Sequence, residues 1–225
     1  MNLTFNALAG IIPALASGTN TAFIGQPCSG KSTLCMEIIL EKIDKIPVIF
    51  FVLDRPVHIV MKNILSRNEK ARHMLKIIDG YSCISGERSK VDGVFQIENL
   101  SNPSDISVTI SSAISQTGEK ALFILDSFST ILYYINEDLA TRLLNSIVAR
   151  LKENDYWSFI VFEKGTHSEQ FYNKVRHIMD CIVEFKIEED KNNGTQKLKR
   201  FYRAFVYRYG ECDTNWHPLI KSIIL

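Results

Sequence analysis

The feature that most constrains this chain is residues 21–35, TAFIGQPCSGKSTLC. It is a short apolar run, a glycine-bounded turn carrying a lysine and hydroxyls, and the start of an apolar helical pattern. A hydrophobic core has little use for that polar cluster. A phosphate does. Gly25-Gln26-Pro27-Cys28-Ser29-Gly30-Lys31-Ser32 fits G-x-x-x-x-G-K-[ST]. Gly25 and Gly30 admit backbone angles that a Cβ would block. Successive N–H groups can then converge into an anion-binding nest, and a helix beginning near Lys31 adds its positive end. Lys31 is placed to neutralise β and γ phosphate oxygens, Ser32 to ligate Mg²⁺, and Thr33 is the candidate for the α phosphate. A bare glycine turn before a helix is the competing reading. The strand TAFIG before the turn and the apolar helix TLCMEIIL after it supply the context that the motif demands. Cys28 inside the loop reads either as a small spacer or as an exposed thiol made acidic by the nest, whose oxidation would obstruct the phosphates.

Beyond the loop, short apolar runs alternate with helix-length segments. Strands are expected at 20–25, 47–53, 75–79, 121–126 and 157–162, and helices at 31–44, 56–66, 104–116, 137–153 and 168–179. Strands that are apolar throughout, separated by helices, predict an α/β fold with a mostly parallel sheet covered on both faces. CIVEFKIEE, DKNNGTQ and KLKRFYRAFVYRY then read as an antiparallel hairpin with an Asn-Gly turn. PLIKSIIL is a candidate edge strand. No linker or repeat divides the chain, so a single domain over residues 1–225 is expected.

Composition narrows the function classes. The net charge is +1 over 225 residues, without the basic excess of a dedicated duplex-DNA binder. No run of about 18 apolar residues could span a bilayer. The five cysteines form no CxxC pair and read as free thiols in a reducing compartment. The histidines show no ligand spacing, so no structural metal is expected. ALAGIIPALASG has the apolarity of a targeting segment but no basic residue before it, and Pro13 interrupts it. The expectation is a cytoplasmic protein whose first segment packs on its own core.

ALFILDS ends an apolar strand with Asp126, a Walker B pattern in which the aspartate holds Mg²⁺. Ser127 and Ser129 follow on the same turn. With these residues in place, LDSFSTILYY resembles the Walker B segment of the KaiC-like and RadA-like branch of the RecA superfamily. KIIDGYSCISGE, IENLSNPSDISVTISSAI and VFEKGTHSEQFYNKVRHIMDCIVEF also resemble segments of archaeal-type KaiC-like domains. The likeness runs from about Leu8 to Leu225. It implies a RecA-type P-loop core that binds ATP with Mg²⁺ and often assembles into rings, hexamers among them, with ATP at subunit boundaries.

The sequence departs from that family in places that matter. The segment before the first strand keeps only part of the family's Leu-Asp pair and glycine cluster. After the second strand the family commonly carries adjacent glutamates, one of which orients the attacking water. Here the chain reads Leu53-Asp54-Arg55. Pro56 and Ile59 align Asp54 with the second glutamate and leave Leu53 at the first. A misplacement of about 1 Å can cost roughly a hundredfold in rate, so slow hydrolysis or binding without turnover is expected. In the hairpin the family often presents a Lys-x-Arg pair to the neighbouring subunit's phosphates. Here Val206 takes the lysine's place, and Arg208 remains either a trans finger or a solvated strand-end charge. Glu163, ending the fifth strand, resembles a sensor between phosphate and loops, against the alternative of a carboxylate facing water.

Distinct functions remain open at this level. The first is a nucleotide-dependent switch with weak or absent ATPase activity. The second is a recombinase-like mediator on single-stranded DNA, for which Lys197, Lys199, Arg200, Arg203 and Arg208, interleaved with Phe201, Tyr202 and Tyr207, have the ingredients. The third is a non-enzymatic regulator that uses ATP for folding or for assembly, with itself or with a protein partner.

Overall fold

The structure, a computed structural model, describes residues 18–89, 91–192 and 195–219. Strands β1 (Asn20–Gly25), β2 (Val48–Val52), β3 (Leu75–Asp79), β4 (Phe95–Gln96), β5 (Leu122–Asp126), β6 (Trp157–Glu163), β7 (Cys181–Asn192), β8 (Thr195–Tyr207) and β9 (His217–Pro218) form one sheet in the order β4-β3-β2-β5-β6-β1-β7-β8-β9. Every pairing from β4 across to β7 is parallel; β8 and β9 are antiparallel additions. Helices α1 (Lys31–Lys42), α2 (Val57–Leu65), α3 (Tyr81–Ser85), α4 (Pro103–Thr117), α5 (Phe128–Ile131), α6 (Glu137–Glu153) and α7 (Glu169–Ile178) connect the strands.

The all-apolar strands follow from the layering. Ile49, Phe51, Phe123 and Leu125 share one buried cluster with α4, α6 and α7. Phe50, Val52, Leu122 and Ile124 share another with α1 and α2. A strand covered on both faces has no position left for a polar side chain. Helix starts follow local chemistry. Asn102, Asn136 and Ser168 accept hydrogen bonds from first-turn N–H groups of α4, α6 and α7, and α4 has proline in its first turn. Helix α1 differs: it opens at Gly30, which is left-handed and provides no side-chain cap.

The long strands and helices lie within a few residues of the sequence expectation. Segments α3, α5, β4 and a 3₁₀ turn at Glu69–His73 were not anticipated. Pieces this short carry less than two turns or pairs, so no period marks them. β7 pairs in parallel with β1, which makes the hairpin continuous with the main sheet. Among the described residues the expected edge strand begins as β9, paired with Phe201 and Tyr202. Residues 220–225 of that expectation, the segment 8–17 at the start and the Asn193-Gly194 turn lie outside the described residues. Among the described residues no helix is long and apolar enough to cross a membrane.

Candidate functional site

Parallel strands put the carboxyl ends of β1, β2, β5 and β6 at one edge of the sheet, where open α/β sheets bind ligands. At that edge β1 stops at Gly25, flanked by Phe185 of β7 and Glu163 of β6. The flank explains the glycine. A Cβ there would lie 2.6 Å from the Phe185 Cβ and 2.8 Å from its carbonyl oxygen. The loop then turns through Cys28, whose φ is +62°, and enters α1 at Gly30 with φ +100°. A Cβ on Gly30 would meet the Leu219 side chain at 2.4 Å. The first glycine is therefore demanded by strand packing, the second by backbone angle and by the closing C-terminal segment.

The polar groups of the loop are turned inward. Lys31 Nζ donates to the carbonyls of Gly25 at 2.8 Å and Gln26 at 2.7 Å, and to Ser29 Oγ at 3.3 Å. Burial lowers its pKa, while the negative charges of Glu163 and Asp126 oppose that shift. Ser32 Oγ donates to Asp126 Oδ1 at 3.1 Å, across 94 residues of sequence. Asp126 is 4 % exposed. Its pKa is pushed up to about 6, mainly by burial and further by the Asp54 charge, against the Ser32 hydrogen bond and the charges of Arg55 and Lys31.

These groups border a cavity of about 360 Å³. Pro27 to Thr33 form its floor, with Asp54, Asp126 and Glu163 around it. Asp54 accepts a hydrogen bond from Thr130 Oγ1 at 2.7 Å. Leu53, by contrast, is 1 % exposed and part of the core, where its side chain fills the space that a Cβ on Gly80 would need. The Glu163 N–H donates to Ser129 Oγ at 2.8 Å, and the same hydroxyl lies 2.7 Å from His167 Nε2. Burial lowers the His167 pKa, opposed by Glu137.

Arg208 stands elsewhere, at the amino-terminal edge of β7. Its guanidinium donates to the carbonyls of His177 and Met179, at the end of α7, and lies 3.8 Å from Asp180. It does not border the cavity of its own chain. Several aromatic and basic residues of the hairpin region are also committed. Tyr202 is buried, Lys186 lies over Phe201 and Trp216, and Arg203 over Phe205 and Trp216.

Sequence reasoning gave no place in the site to Arg55, Arg200 or Leu219, which also border the cavity. Arg200 Nε donates to the Cys28 carbonyl at 2.8 Å, and the Leu219 N–H donates back to the Arg200 carbonyl. The only sequence signal for Arg55 was its place beside Asp54. In the sequence Arg200 stands among the hairpin cations, a setting that suggests nucleic acid.

A strand–loop–helix whose glycines, lysine and serine converge on a strand-end aspartate is the geometry of a P-loop. The family model described as "ATPase: KaiC" matches residues 9–222. The chain belongs to the KaiC ATPase family. Two solved structures from Pyrococcus horikoshii are similar in fold. One is a KaiC-like protein, 16% identical, with a TM-score of 0.67, covering 90% of this chain and 85% of that one. The other, crystallised with an unknown peptide, is 14% identical, with a TM-score of 0.67 and coverage of 90% and 89%. No curated protein sequence matches the chain. As a KaiC-family domain it has a RecA-type P-loop core, and nucleotide binding is its general chemistry.

The family usually pairs its nucleotide with Mg²⁺, and the donor set here fits that ion. Ser32 and Asp126 offer hard oxygens already turned toward each other. Among the described residues no group of three or more His, Cys, Asp or Glu could hold a metal.

Proposed function

We propose that this KaiC-family domain binds ATP as a nucleotide-dependent switch and hydrolyses it slowly or not at all. The observation that carries this reading is the state of residues 53 and 54. Leu53 is a core side chain, and the Asp54 carboxylate is held by Thr130. Leu53 has no carboxylate, and Asp54, with Oδ1 tethered to Thr130, is left as a single short acid to orient an attacking water, where in-line displacement depends on positioning.

The roles of the other residues follow from where they stand. The loop residues from Gly25 to Thr33 grip the phosphates through their backbone N–H groups, Pro27 excepted. On binding, Lys31 exchanges the Gly25 and Gln26 carbonyls for phosphate oxygens. Ser32 and Asp126 would hold Mg²⁺, which when bound neutralises phosphate charge. Glu163 acts as the sensor. Its carboxylate faces the Lys31 charge, its N–H is fixed by Ser129, and its carbonyl accepts from Thr166 and Tyr172. Ligand-driven movement at Glu163 thus reaches α7, which carries Tyr172. Arg208, as a trans finger, would have to leave the carbonyls of α7 when subunits assemble. A single-stranded-DNA role draws less support, because Tyr202 is buried and Phe201 is covered by Lys186, which leaves Tyr207 of the three aromatics that would stack on bases.

The test is incubation with Mg-ATP, with phosphate release and bound nucleotide measured together. Tight binding with release near background is expected. Asp54→Ala should leave binding intact and remove the residual turnover, whereas Lys31→Ala should weaken binding. Turnover of about 1 per second or more would place this chain with ordinary ATPases and overturn the switch reading.

A further inference from the structure

The segment that leaves β2 exchanges a pair of acids for a buried leucine, a tethered aspartate and an arginine. We infer that Arg55 is a cation acting within its own chain that reads the terminal phosphate of a nucleoside triphosphate, so that the pocket separates tri- from diphosphate by charge. The inference rests on the nucleotide-binding function proposed above.

Arg55 borders the same cavity as Lys31, Asp126 and Asp54. Its place in that wall is fixed from both sides. The Leu53 N–H donates to the Asp126 carbonyl at 3.2 Å, tying the end of β2 to the end of β5. Pro56 follows with φ −61° as the residue that opens α2. A residue before proline is confined to extended backbone, so the chain leaves the strand at Arg55 in a restricted direction. Among the described residues no hydrogen bond or salt bridge holds the Arg55 guanidinium. The neighbouring polar groups are engaged: Asp54 with Thr130, Asp126 with Ser32. The Arg55 charge is nonetheless felt at the Asp126 carboxyl and at the buried Cys35 thiol, where it opposes the rise in pKa that burial imposes on each.

That position decides which part of a ligand it meets. Lys31, Ser32 and Asp126 mark the β–γ end of a phosphate chain seated on the loop. Arg200, the other arginine of the lining, is already engaged, donating to the Cys28 carbonyl. Among the described residues that border the cavity, Arg55 is therefore the arginine left to meet the γ end. A planar guanidinium suits a terminal phosphate, whose oxygens accept a two-pronged donor. A cation here also cannot serve as a base, in keeping with tight binding and little turnover.

The experiment measures affinities for ADP and for a non-hydrolysable ATP analogue with an imido β,γ bridge, both with Mg²⁺. Wild type, Arg55→Ala, Arg55→Lys and Lys31→Ala are compared. For Arg55→Ala, loss of a charged hydrogen bond should weaken the analogue by about tenfold or more, with ADP changed by less than about threefold. Arg55→Lys should recover only part of the loss, since a point charge lacks the fork. Lys31→Ala should weaken both ligands. Equal loss for both ligands in Arg55→Ala, or no loss for either, overturns the inference while leaving the P-loop function standing. If the folded wild type binds neither ligand, the nucleotide reading fails and takes this inference with it. Should Arg55→Ala fail to fold, Arg55→Gln replaces it under the same criteria.

Discussion

Asp126 shows how a single residue ties stability to ligand chemistry. Its carboxyl is buried, and its pKa is pushed up from 3.8 to about 6. An acid whose folded pKa lies above its unfolded value favours folding most when protonated. That contribution is full below pH 4 and is lost as pH rises through about 6. A shift of this size amounts to about 3 kcal/mol at most, at about 1.4 kcal/mol per pKa unit. Asp126→Asn should therefore stabilise the ligand-free protein at pH 7 to 8 by about 1–3 kcal/mol. The gain should shrink toward zero near pH 4, as read from melting curves across that range. In Mg-ATP the order should reverse, because the asparagine offers a weaker oxygen to the metal. A melting difference independent of pH would mean that Asp126 does not titrate as its burial requires.

At the scale of elements, α7 and the hairpin meet at Arg208. Helix α7 ends with carbonyls that lack partners within the helix, and Arg208 donates to two carbonyls there. The same corner includes Asp180, which accepts from Lys152 at 2.7 Å and from the Asn20 N–H at 3.1 Å. Burial pushes the Asp180 carboxyl up, yet these hydrogen bonds hold it below the usual range. A cation at a helix C-terminus contributes about 0.3–1 kcal/mol, so Arg208→Ala should lower the unfolding free energy of the isolated chain by about that much. Arg208→Lys should restore part of it. If Arg208 also serves a neighbouring subunit, the alanine variant loses nucleotide-dependent behaviour only at concentrations where the protein assembles. A dilution series with activity and mass read together separates these effects.

The layout of the whole molecule explains what was legible beforehand. Gly25 to Thr33 are contiguous, and so are the strand and helix around them, so their pattern lies within one window of sequence. Asp126 sits at the end of an apolar strand and stands out for the same reason. The proposed switch predicts that Mg-ATP raises the molecular mass in light scattering while Lys31→Ala stays at its ligand-free mass. An unchanged mass in saturating Mg-ATP would remove assembly from the proposal. The periodic pattern also sufficed for the parallel sheet and its covering helices, since helices and strands declare themselves by local spacing. It did not disclose that β7 lies beside β1, or that the chain returns at Leu219 to Gly30.

What the sequence determined by itself was the phosphate loop, the apolar strands that frame it and the α/β layering. Those depend on short-range sterics and on spacing between near neighbours. Tertiary structure alone decided that Leu53 faces the core, that Thr130 holds Asp54, that Arg200 reaches the Cys28 carbonyl and that Arg208 closes α7. Each of these is a contact between elements far apart in the chain. Its partner is chosen by strand order and helix packing, and that choice leaves no mark in any local run of residues.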